Sequence, residues 1–190
     1  MKQKNIIIFG PPGAGKGTQA SKLIHFIKVP HISTGDMFRH HIKHETELGK
    51  KAQMHTDSGK LVPDNITIAM VKERLLQKDT QNGFLLDGFP RSVPQAETLD
   101  RILNELGISL DLIINISISD EEIMQRLSKR ASIEGRADDE DSSVIQQRIR
   151  TYKNQSEPCL AYYKSKGLVN YIDGIGAIEE VFSRIEKIFL

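Results

Sequence analysis

The segment Gly10-Pro11-Pro12-Gly13-Ala14-Gly15-Lys16-Gly17-Thr18 constrains the possible folds of this chain more than any other. The apolar, β-branched run at 5–9 precedes it and predicts a buried strand. Residues 19–27 follow it with apolar side chains at helical spacing and predict an amphipathic helix. The order strand, glycine-rich loop, helix is the context in which a phosphate-binding loop occurs.

A loop in this position suits phosphate for a local physical reason. Glycines allow the backbone to turn its N–H groups toward an anion, and the helix N-terminus adds further unpaired donors. Lys16 brings a full positive charge to the β- and γ-phosphates. The segment departs from the strict motif, because Gly17 follows the lysine and the hydroxyl group comes one residue later, at Thr18. An ordinary strand-to-helix turn is the alternative interpretation.

Length and composition favour one compact domain. The chain has 190 residues, of which 38% are hydrophobic and 27% charged, and its net charge is +1. This near-neutral charge argues against a surface devoted to nucleic acid. We expect no signal peptide and no membrane helix, because no apolar run approaches the ~18 residues that a span needs. The single cysteine, Cys159, excludes an intrachain disulfide and a multi-cysteine zinc site, and it predicts a packing role and a cytoplasmic location.

Strands and helices alternate along the rest of the chain. Further strands are predicted at 29–32, 83–87, 112–116 and 167–173, with helices between them and after the last one. Asp64 is predicted to cap the helix that follows it. This alternation predicts an α/β fold in which helices cover both faces of a five-stranded parallel sheet. The glycine-interrupted stretch at 33–62 predicts a small helical insert.

Asp87 ends the third predicted strand, directly after four residues at 83–86 of which three are apolar. In a parallel α/β sheet, ligands gather at the carboxyl ends of the strands. A carboxylate beside a phosphate loop is the expected partner of Mg²⁺, often through a water molecule. The alternative is a structural role in an Asp-Gly turn.

Arginines indicate phosphoryl transfer. That reaction needs aligned substrates and positive charge around the moving group, and guanidinium groups match phosphate oxygens well. Candidate arginines are Arg39, Arg91, Arg126, Arg130, Arg136, Arg148 and Arg150. The sequence offers no Ser-His-Asp arrangement and no His/Cys metal cluster. The run of His40, His41 and His44 predicts a solvated helix face.

With these residues in view, the chain resembles the adenylate kinases of the nucleoside monophosphate kinase family over essentially its whole length. The motifs that carry the resemblance are the loop at 10–18, Ser33-Thr34-Gly35-Asp36-Met37-Phe38-Arg39, Gly59-Lys60-Leu61-Val62-Pro63, Phe84-Leu85-Leu86-Asp87-Gly88-Phe89-Pro90-Arg91 with Gln95, Arg126 to Arg130, Gly135-Arg136-Ala137-Asp138-Asp139, and Arg148. The family shares the Lys-Gly-Thr departure. The resemblance implies a P-loop three-layer αβα fold with a core at 1–32, 63–129 and 141–190, an AMP-binding insert at 33–62 and a lid at 130–140. The lid is short and lacks cysteine, so the resemblance is to the short-lid type and implies no structural zinc.

The resemblance also implies a reaction, ATP + AMP ⇌ 2 ADP, with Mg²⁺ as cofactor. The implied ATP-binding residues are Gly13, Ala14, Gly15, Lys16, Gly17, Thr18, Arg126, Arg130 and Gly176. The implied AMP-binding residues are Thr34, Arg39, Lys60, Leu61, Val62, Gly88, Phe89, Pro90, Arg91, Gln95, Arg136 and Arg148. The implied catalytic residues are Lys16, Arg91, Arg130, Arg136 and Arg148, and Thr18 and Asp87 would hold Mg²⁺ through water.

Other functions remain open at this point. A UMP/CMP kinase on the same fold is the nearest alternative, although Gln95 and Thr34 favour AMP by resemblance. A nucleotide-dependent binding switch is a second, but the guanine-reading Asn-Lys-x-Asp motif is absent and a second substrate site is implied. A structural or nucleic-acid-binding module fits the near-neutral charge least. We therefore expect a monomer whose partners are ATP, AMP and ADP, with no nucleic acid and no membrane.

Overall fold

The computed structural model describes residues 4–134, 139 and 141–190. The strands are β1 (Lys4–Phe9), β2 (His31–Ser33), β3 (Gly83–Asp87), β4 (Leu112–Ser117) and β5 (Val169–Asp173). The α-helices are α1 (Lys16–Ile27), α2 (Thr34–Lys43), α3 (Glu47–Thr56), α4 (Asp64–Leu75), α5 (Val93–Glu105), α6 (Asp120–Glu134), α7 (Ser142–Thr151), α8 (Glu157–Lys164) and α9 (Ile178–Glu186). A π-helical segment (Tyr152–Ser156) joins α7 to α8, and 3-10 segments lie at Lys78–Asn82 and Lys187–Phe189.

The five strands form one sheet in the order β2-β3-β1-β4-β5, and every neighbouring pair is parallel. The predicted α/β class and five-stranded parallel sheet are confirmed. β1 begins one residue earlier than predicted, at Lys4, and two other strands begin two residues later than predicted. β2 begins at His31, after Pro30, which has no N–H to donate to a ladder. β5 begins at Val169, because the N–H groups of Gly167 and Leu168 close the last turn of α8 instead.

The hydrophobic core lies on both faces of the sheet, and alternate residues of β1 supply both halves. Ile7 packs with residues of α4, α5 and α8, whereas Ile6 and Ile8 pack with residues of α1 and α9. A strand buried on both faces has no polar side, which explains the continuous apolar run in its sequence. The result is three layers, with the carboxyl ends of the strands meeting at one edge.

Helices α2 and α3 pack around a smaller hydrophobic cluster. Phe38, Ala52 and Val62 pack there with Met70, which lies on α4. The insert at 33–62 and the division into core, insert and lid stay predictions. Residues 135–138 and 140 of the predicted lid lie outside the described residues. In the part of the chain that the structure describes, no helix is both long and apolar enough to cross a bilayer.

The predicted cap at Asp64 is wrong. Pro63 occupies the N-cap position of α4, and Asp64 is the first helical residue, with no side-chain bond to its own helix. Its carboxylate instead accepts hydrogen bonds from Ser92 and Gln95 at the start of α5. The Asp64 carboxylate therefore bonds to donors of a neighbouring element and not to the backbone N–H groups of its own helix. The sequence alone could not show this choice.

Candidate active site

A cavity of about 1410 Å³ lies at the carboxyl ends of the strands. Its walls come from the glycine-rich loop, the end of β3, helix α2, helix α6 and helix α7. Ligands of open α/β sheets bind at this edge, where connections leave the sheet in opposite directions. The volume exceeds the ~300–1,000 Å³ of a usual ligand pocket. The cavity therefore has enough space for two ligands at once.

The predicted site residues come together in this cavity. Those that line it are Gly13, Ala14, Gly15, Lys16, Gly17, Thr18, Thr34, Arg39, Lys60, Leu61, Val62, Asp87, Gly88, Phe89, Pro90, Arg91, Gln95, Arg126, Arg130, Arg148 and Gly176. Arg136 lies outside the described residues. The two predicted groups of nucleotide-binding residues thus share one continuous space, although residues 34–62 and 88–95 are far from the loop in sequence.

The glycine-rich loop wraps around the ammonium group of Lys16. Its Nζ donates hydrogen bonds of 2.9 Å to the carbonyl oxygens of Gly10 and Pro11. Gly10 must be glycine, because a Cβ there would lie 2.5 Å from the carbonyl oxygen of Ile116. Gly15, with a φ of 86°, is the N-cap of α1 and provides no side chain to cap the helix. The N–H groups of the first turn of α1, which lines the cavity, therefore remain available to a ligand. This is the geometry of an anion site.

The charges around Lys16 make the cavity strongly attractive to phosphate. The pKa of Lys16 is lowered to about 8, and burial is the largest cause. The attraction of Asp87 opposes the shift, and repulsion from Arg91, Arg148 and Arg130 adds to it. Three guanidinium groups therefore act on the same ammonium group. Such a concentration of positive charge suits a polyphosphate.

A second wall of the cavity joins α2 to the loop after β3. The hydroxyl of Thr34 donates to the carbonyl oxygen of Gly88 at 2.9 Å, and Nε of Arg91 donates to the same oxygen at 2.9 Å. Gly88 has a φ of +82°, and a Cβ there would lie 2.6 Å from the Thr34 hydroxyl. Arg39 lies on the outer part of this wall, where its Nη2 donates to Asp36 at 2.5 Å.

Asp139 is a site residue to which sequence reasoning gave no role. Its side chain is fully buried and accepts hydrogen bonds from Nε and Nη2 of Arg130, at 2.5 and 2.9 Å, and from Nη1 of Arg148. One carboxylate therefore holds two cavity arginines that come from different helices. The motif at 135–139 contained Asp139, but nothing in the sequence indicated which arginines it would meet.

Comparisons with known proteins identify relatives of this chain. The family model described as adenylate kinase matches residues 8–168. The chain is 49% identical over 179 residues to an adenylate kinase of Thermobifida fusca (strain YX), and the match covers 94% of each chain. It is 48% identical over 180 residues to one of Kocuria rhizophila, covering 95% of each. It is 44% identical over 184 residues to one of Leptospira biflexa serovar Patoc, covering 97% of this chain and 98% of the relative.

The chain belongs to the adenylate kinase family. Adenylate kinases transfer the terminal phosphoryl group of ATP to AMP and produce two ADP, and this is the activity of this family member. The reaction uses a divalent metal ion, generally Mg²⁺, with the nucleotide.

The oxygen donors of this adenylate kinase fit such an ion. Asp87 is largely buried at the end of β3, and Thr18 lies in the first turn of α1; both line the cavity. Carboxylate, hydroxyl and water oxygens are the ligands that Mg²⁺ prefers. Within the described ranges, no group of three or more His, Cys, Asp or Glu side chains could hold a metal ion by itself. Nε2 of His31 lies 3.5 Å from Asp87, on the side of β2.

Arg126 lies toward the opposite end of the adenylate kinase cavity. Its Nε donates to Glu122 at 2.6 Å, and its Nη2 donates to the carbonyl oxygen of Gly174 at 2.9 Å. Gln19, which sequence reasoning missed, donates to the carbonyl oxygen of Ile178 at 3.0 Å and joins α1 to α9. These bonds fix the turn at 174–178 beside the glycine-rich loop.

Proposed function

We propose that ATP + AMP ⇌ 2 ADP takes place in this cavity with ATP on the glycine-rich loop and AMP on the wall formed by α2, residues 60–62 and residues 88–91. The observation that carries the proposal is that both groups of residues line one cavity around Lys16. In this arrangement the terminal phosphate of ATP meets the phosphate of AMP beside the cationic cluster. Arg126 and the turn at Gly176 receive the remainder of ATP, and Gln95 and Thr34 receive the base side of AMP.

The reaction in this site needs no general base. The phosphate of AMP is already an anion, so an oxygen of that phosphate attacks the terminal phosphorus of ATP directly, and the bond to the ADP leaving oxygen breaks. Catalysis then consists of alignment and charge stabilisation. Lys16, Arg91, Arg130 and Arg148 supply the charge that the cavity shows, and Arg136 is proposed to join them.

Thr18 and Asp87 would hold Mg²⁺ through water molecules. When bound, the ion supplies positive charge to the phosphate oxygens of ATP. Structural zinc has no part in the proposal. The ion is a companion of the substrate, which is consistent with a cavity that presents few carboxylates and many cations.

The insert at 33–62 and the lid at 130–140 are proposed to close over the two nucleotides. Closure would exclude water, which otherwise competes with AMP for the phosphoryl group. We further propose a monomer that acts in the cytoplasm, on small molecules alone.

The test is an ADP-forming assay with ATP, Mg²⁺ and each of AMP, UMP, CMP and GMP in turn. AMP should give the highest kcat/KM. A preference for UMP or CMP would overturn the assignment of the base of AMP to Gln95 and Thr34. Free phosphate is followed in parallel without any monophosphate. If ATP alone released phosphate as fast as the complete mixture produced ADP, the proposed exclusion of water by closure would be wrong.

A further inference from the structure

The side chain of Gln95 is buried at the start of α5, and both ends of its amide group are held. Its Oε1 accepts a hydrogen bond of 2.7 Å from the backbone N–H of Arg91. Its Nε2 donates a hydrogen bond of 2.7 Å to Oδ1 of Asp64. The amide therefore lies between a loop that forms the cavity wall and the first residue of α4.

These two neighbours dictate which end of the amide is oxygen and which is nitrogen. A backbone N–H can only donate and a carboxylate can only accept. In the reversed orientation, donor would face donor and acceptor would face acceptor, and two polar groups would lose their partners in a buried position. Leaving buried polar groups unpaired is costly. Asp64 and the N–H of Arg91 together select one orientation.

Asp64 is itself held by the first turn of α5. Its Oδ2 accepts a hydrogen bond of 3.1 Å from the hydroxyl of Ser92, and that hydroxyl accepts from the backbone N–H of Gln95 at 3.3 Å. Asp64 follows directly after the segment 60–63, whose residues 60–62 line the cavity. The carboxylate thus fixes the amide relative to the proposed AMP wall as well as relative to its own helix.

The held amide has hydrogen-bonding capacity left over. An amide oxygen has two acceptor sites and an amide nitrogen has two hydrogens, so one of each remains for a ligand in the cavity that Gln95 lines. Adenine offers a 6-amino donor beside a ring-nitrogen acceptor, which a glutamine amide matches with two bonds. A 6-oxopurine offers a carbonyl acceptor at position 6 and an N1–H donor beside it, so it needs the reversed amide.

We propose that Asp64 is a specificity-determining residue of the monophosphate site: by fixing the orientation of the Gln95 amide, it makes the site select adenine over 6-oxopurines. The proposal rests on the placement of the AMP base at Gln95 given above. Asp64 acts through Gln95 and is a positioning residue, which touches no substrate itself.

The test compares AMP with IMP as phosphoryl acceptors, since the two differ only at position 6 and in the proton on N1. In the variant Asp64→Asn, the new carboxamide can offer Gln95 either a donor or an acceptor. The Gln95 amide then has no acceptor-only partner at position 64 to fix its orientation. The ratio of kcat/KM for AMP to that for IMP should fall about tenfold or more, within the range that one two-bond base contact provides. The KM for ATP should stay unchanged. The variant Asp64→Ala, which removes the carboxylate without adding a donor, should move the ratio in the same direction.

Ser92→Ala is the matched control. It removes the other donor to the same carboxylate and the cap of α5, but it leaves the bond between Asp64 and Gln95 in place. It should lower the melting temperature and keep the AMP-to-IMP ratio within about twofold of wild type. A purely structural role for Asp64 predicts instead that all three variants lower both kcat/KM values together and leave their ratio constant, and that result overturns the proposal.

Gln95→Leu separates this inference from the proposed function. If Gln95→Leu keeps the wild-type ratio, the base does not lie at Gln95 and the assignment of the AMP site fails. If Gln95→Leu collapses the ratio while Asp64→Asn and Asp64→Ala retain it, only the role of Asp64 is wrong.

Discussion

The hydroxyl of Thr151 donates a hydrogen bond of 3.2 Å to the carbonyl oxygen of Gly59. Thr151 ends α7, the helix that carries Arg148, and Gly59 directly precedes residues 60–62 of the proposed AMP wall. Both residues are buried. Gly59 also lies close to Arg148, because a Cβ at Gly59 would lie 3.1 Å from Cγ of that arginine. The predicted insert therefore contacts the helix that carries Arg148, which would connect the proposed AMP wall to the proposed phosphoryl-transfer residues.

The variant Thr151→Val tests the hydrogen bond between Thr151 and Gly59. Valine keeps the shape of threonine and removes the donor, so the carbonyl of Gly59 loses a partner at a cost of about 0.5–1.5 kcal/mol. We expect the KM for AMP to rise about three- to tenfold, with a smaller effect on the KM for ATP. Thr80→Val is the control, because the Thr80 hydroxyl also donates to backbone carbonyls in a buried position but lies away from the cavity. Equal changes in both KM values would show that Thr151 only stabilises the fold.

Asp139→Asn removes the charge that holds Arg130 and Arg148 together. The free energy of unfolding should fall by about 1–3 kcal/mol, because charge-assisted hydrogen bonds to a buried carboxylate are lost. The kcat should fall about 10²-fold, since misplacement of catalytic groups by about 1 Å has effects of that size. Asp79→Asn is the matched control: Asp79 accepts two bonds from Arg74, at 2.8 and 2.7 Å, outside the cavity. A normal kcat for Asp139→Asn would mean that Arg130 and Arg148 do not need the Asp139 carboxylate to stay in position.

Lys16→Met removes the ammonium group at the centre of the cationic cluster. Turnover should fall about 10²–10³-fold, the loss typical of one preorganised donor at developing charge. The fold should survive, because Lys16 belongs to neither of the two hydrophobic clusters that cover the faces of the sheet. Lys22→Met is the control, since Lys22 lies on the same helix but pairs with Glu179. Steady-state kinetics measure the turnover of both variants. Turnover within a few-fold of wild type for Lys16→Met would show that Lys16 is not a site residue.

Arg39→Ala and Arg91→Ala should each weaken AMP binding far more than ATP binding. Both side chains lie on the wall formed by α2 and the loop after β3, away from the turn at Gly174. Arg126→Ala should show the reverse, because Arg126 bonds to Gly174 at the other end of the cavity. Isothermal titration with each nucleotide separately measures the effect. If all three variants lost both ligands equally, the division of the cavity into two sites would be wrong.

Cys159 should be unreactive in the folded protein. Its side chain is buried in the core and burial raises its pKa to about 12, above the ordinary value of 9.0. The folded protein therefore keeps the thiol proton where the unfolded chain loses it. The stabilisation from this group is fully present below about pH 9 and is lost as pH rises toward about 12. A thiol reagent at pH 8 should label the native protein at least about 100-fold more slowly than the protein in denaturant. In Cys159→Ala, the decline of unfolding free energy between pH 9 and 10.5 should be shallower, and an identical decline would remove Cys159 as its source.

Sequence patterns predicted those parts of the fold that depend on near neighbours. The buried run of β1, the loop that follows it and the helix after Lys16 are all local, so strand, loop and helix could be placed with small errors at their ends. Errors arose where a polar group had more than one possible hydrogen-bond partner. The N–H groups of Gly167 and Leu168 bond to α8 and shorten β5, and the carboxylate of Asp64 bonds to α5 and leaves α4 without a side-chain cap.

The sequence by itself determined the strand, glycine-rich loop and helix that predict a phosphate site at the end of β1, because the turn, the lysine and the helix N-terminus are consecutive and need no other part of the chain. Only the tertiary structure decided which distant side chains meet there. Asp139 with Arg130 and Arg148, and Asp64 with Gln95, are brought together by packing of separate helices. A hydrogen bond depends on distances of a few tenths of an ångström and on direction. Residue types and spacing carry no such information across elements, so those partners follow from the assembled fold alone.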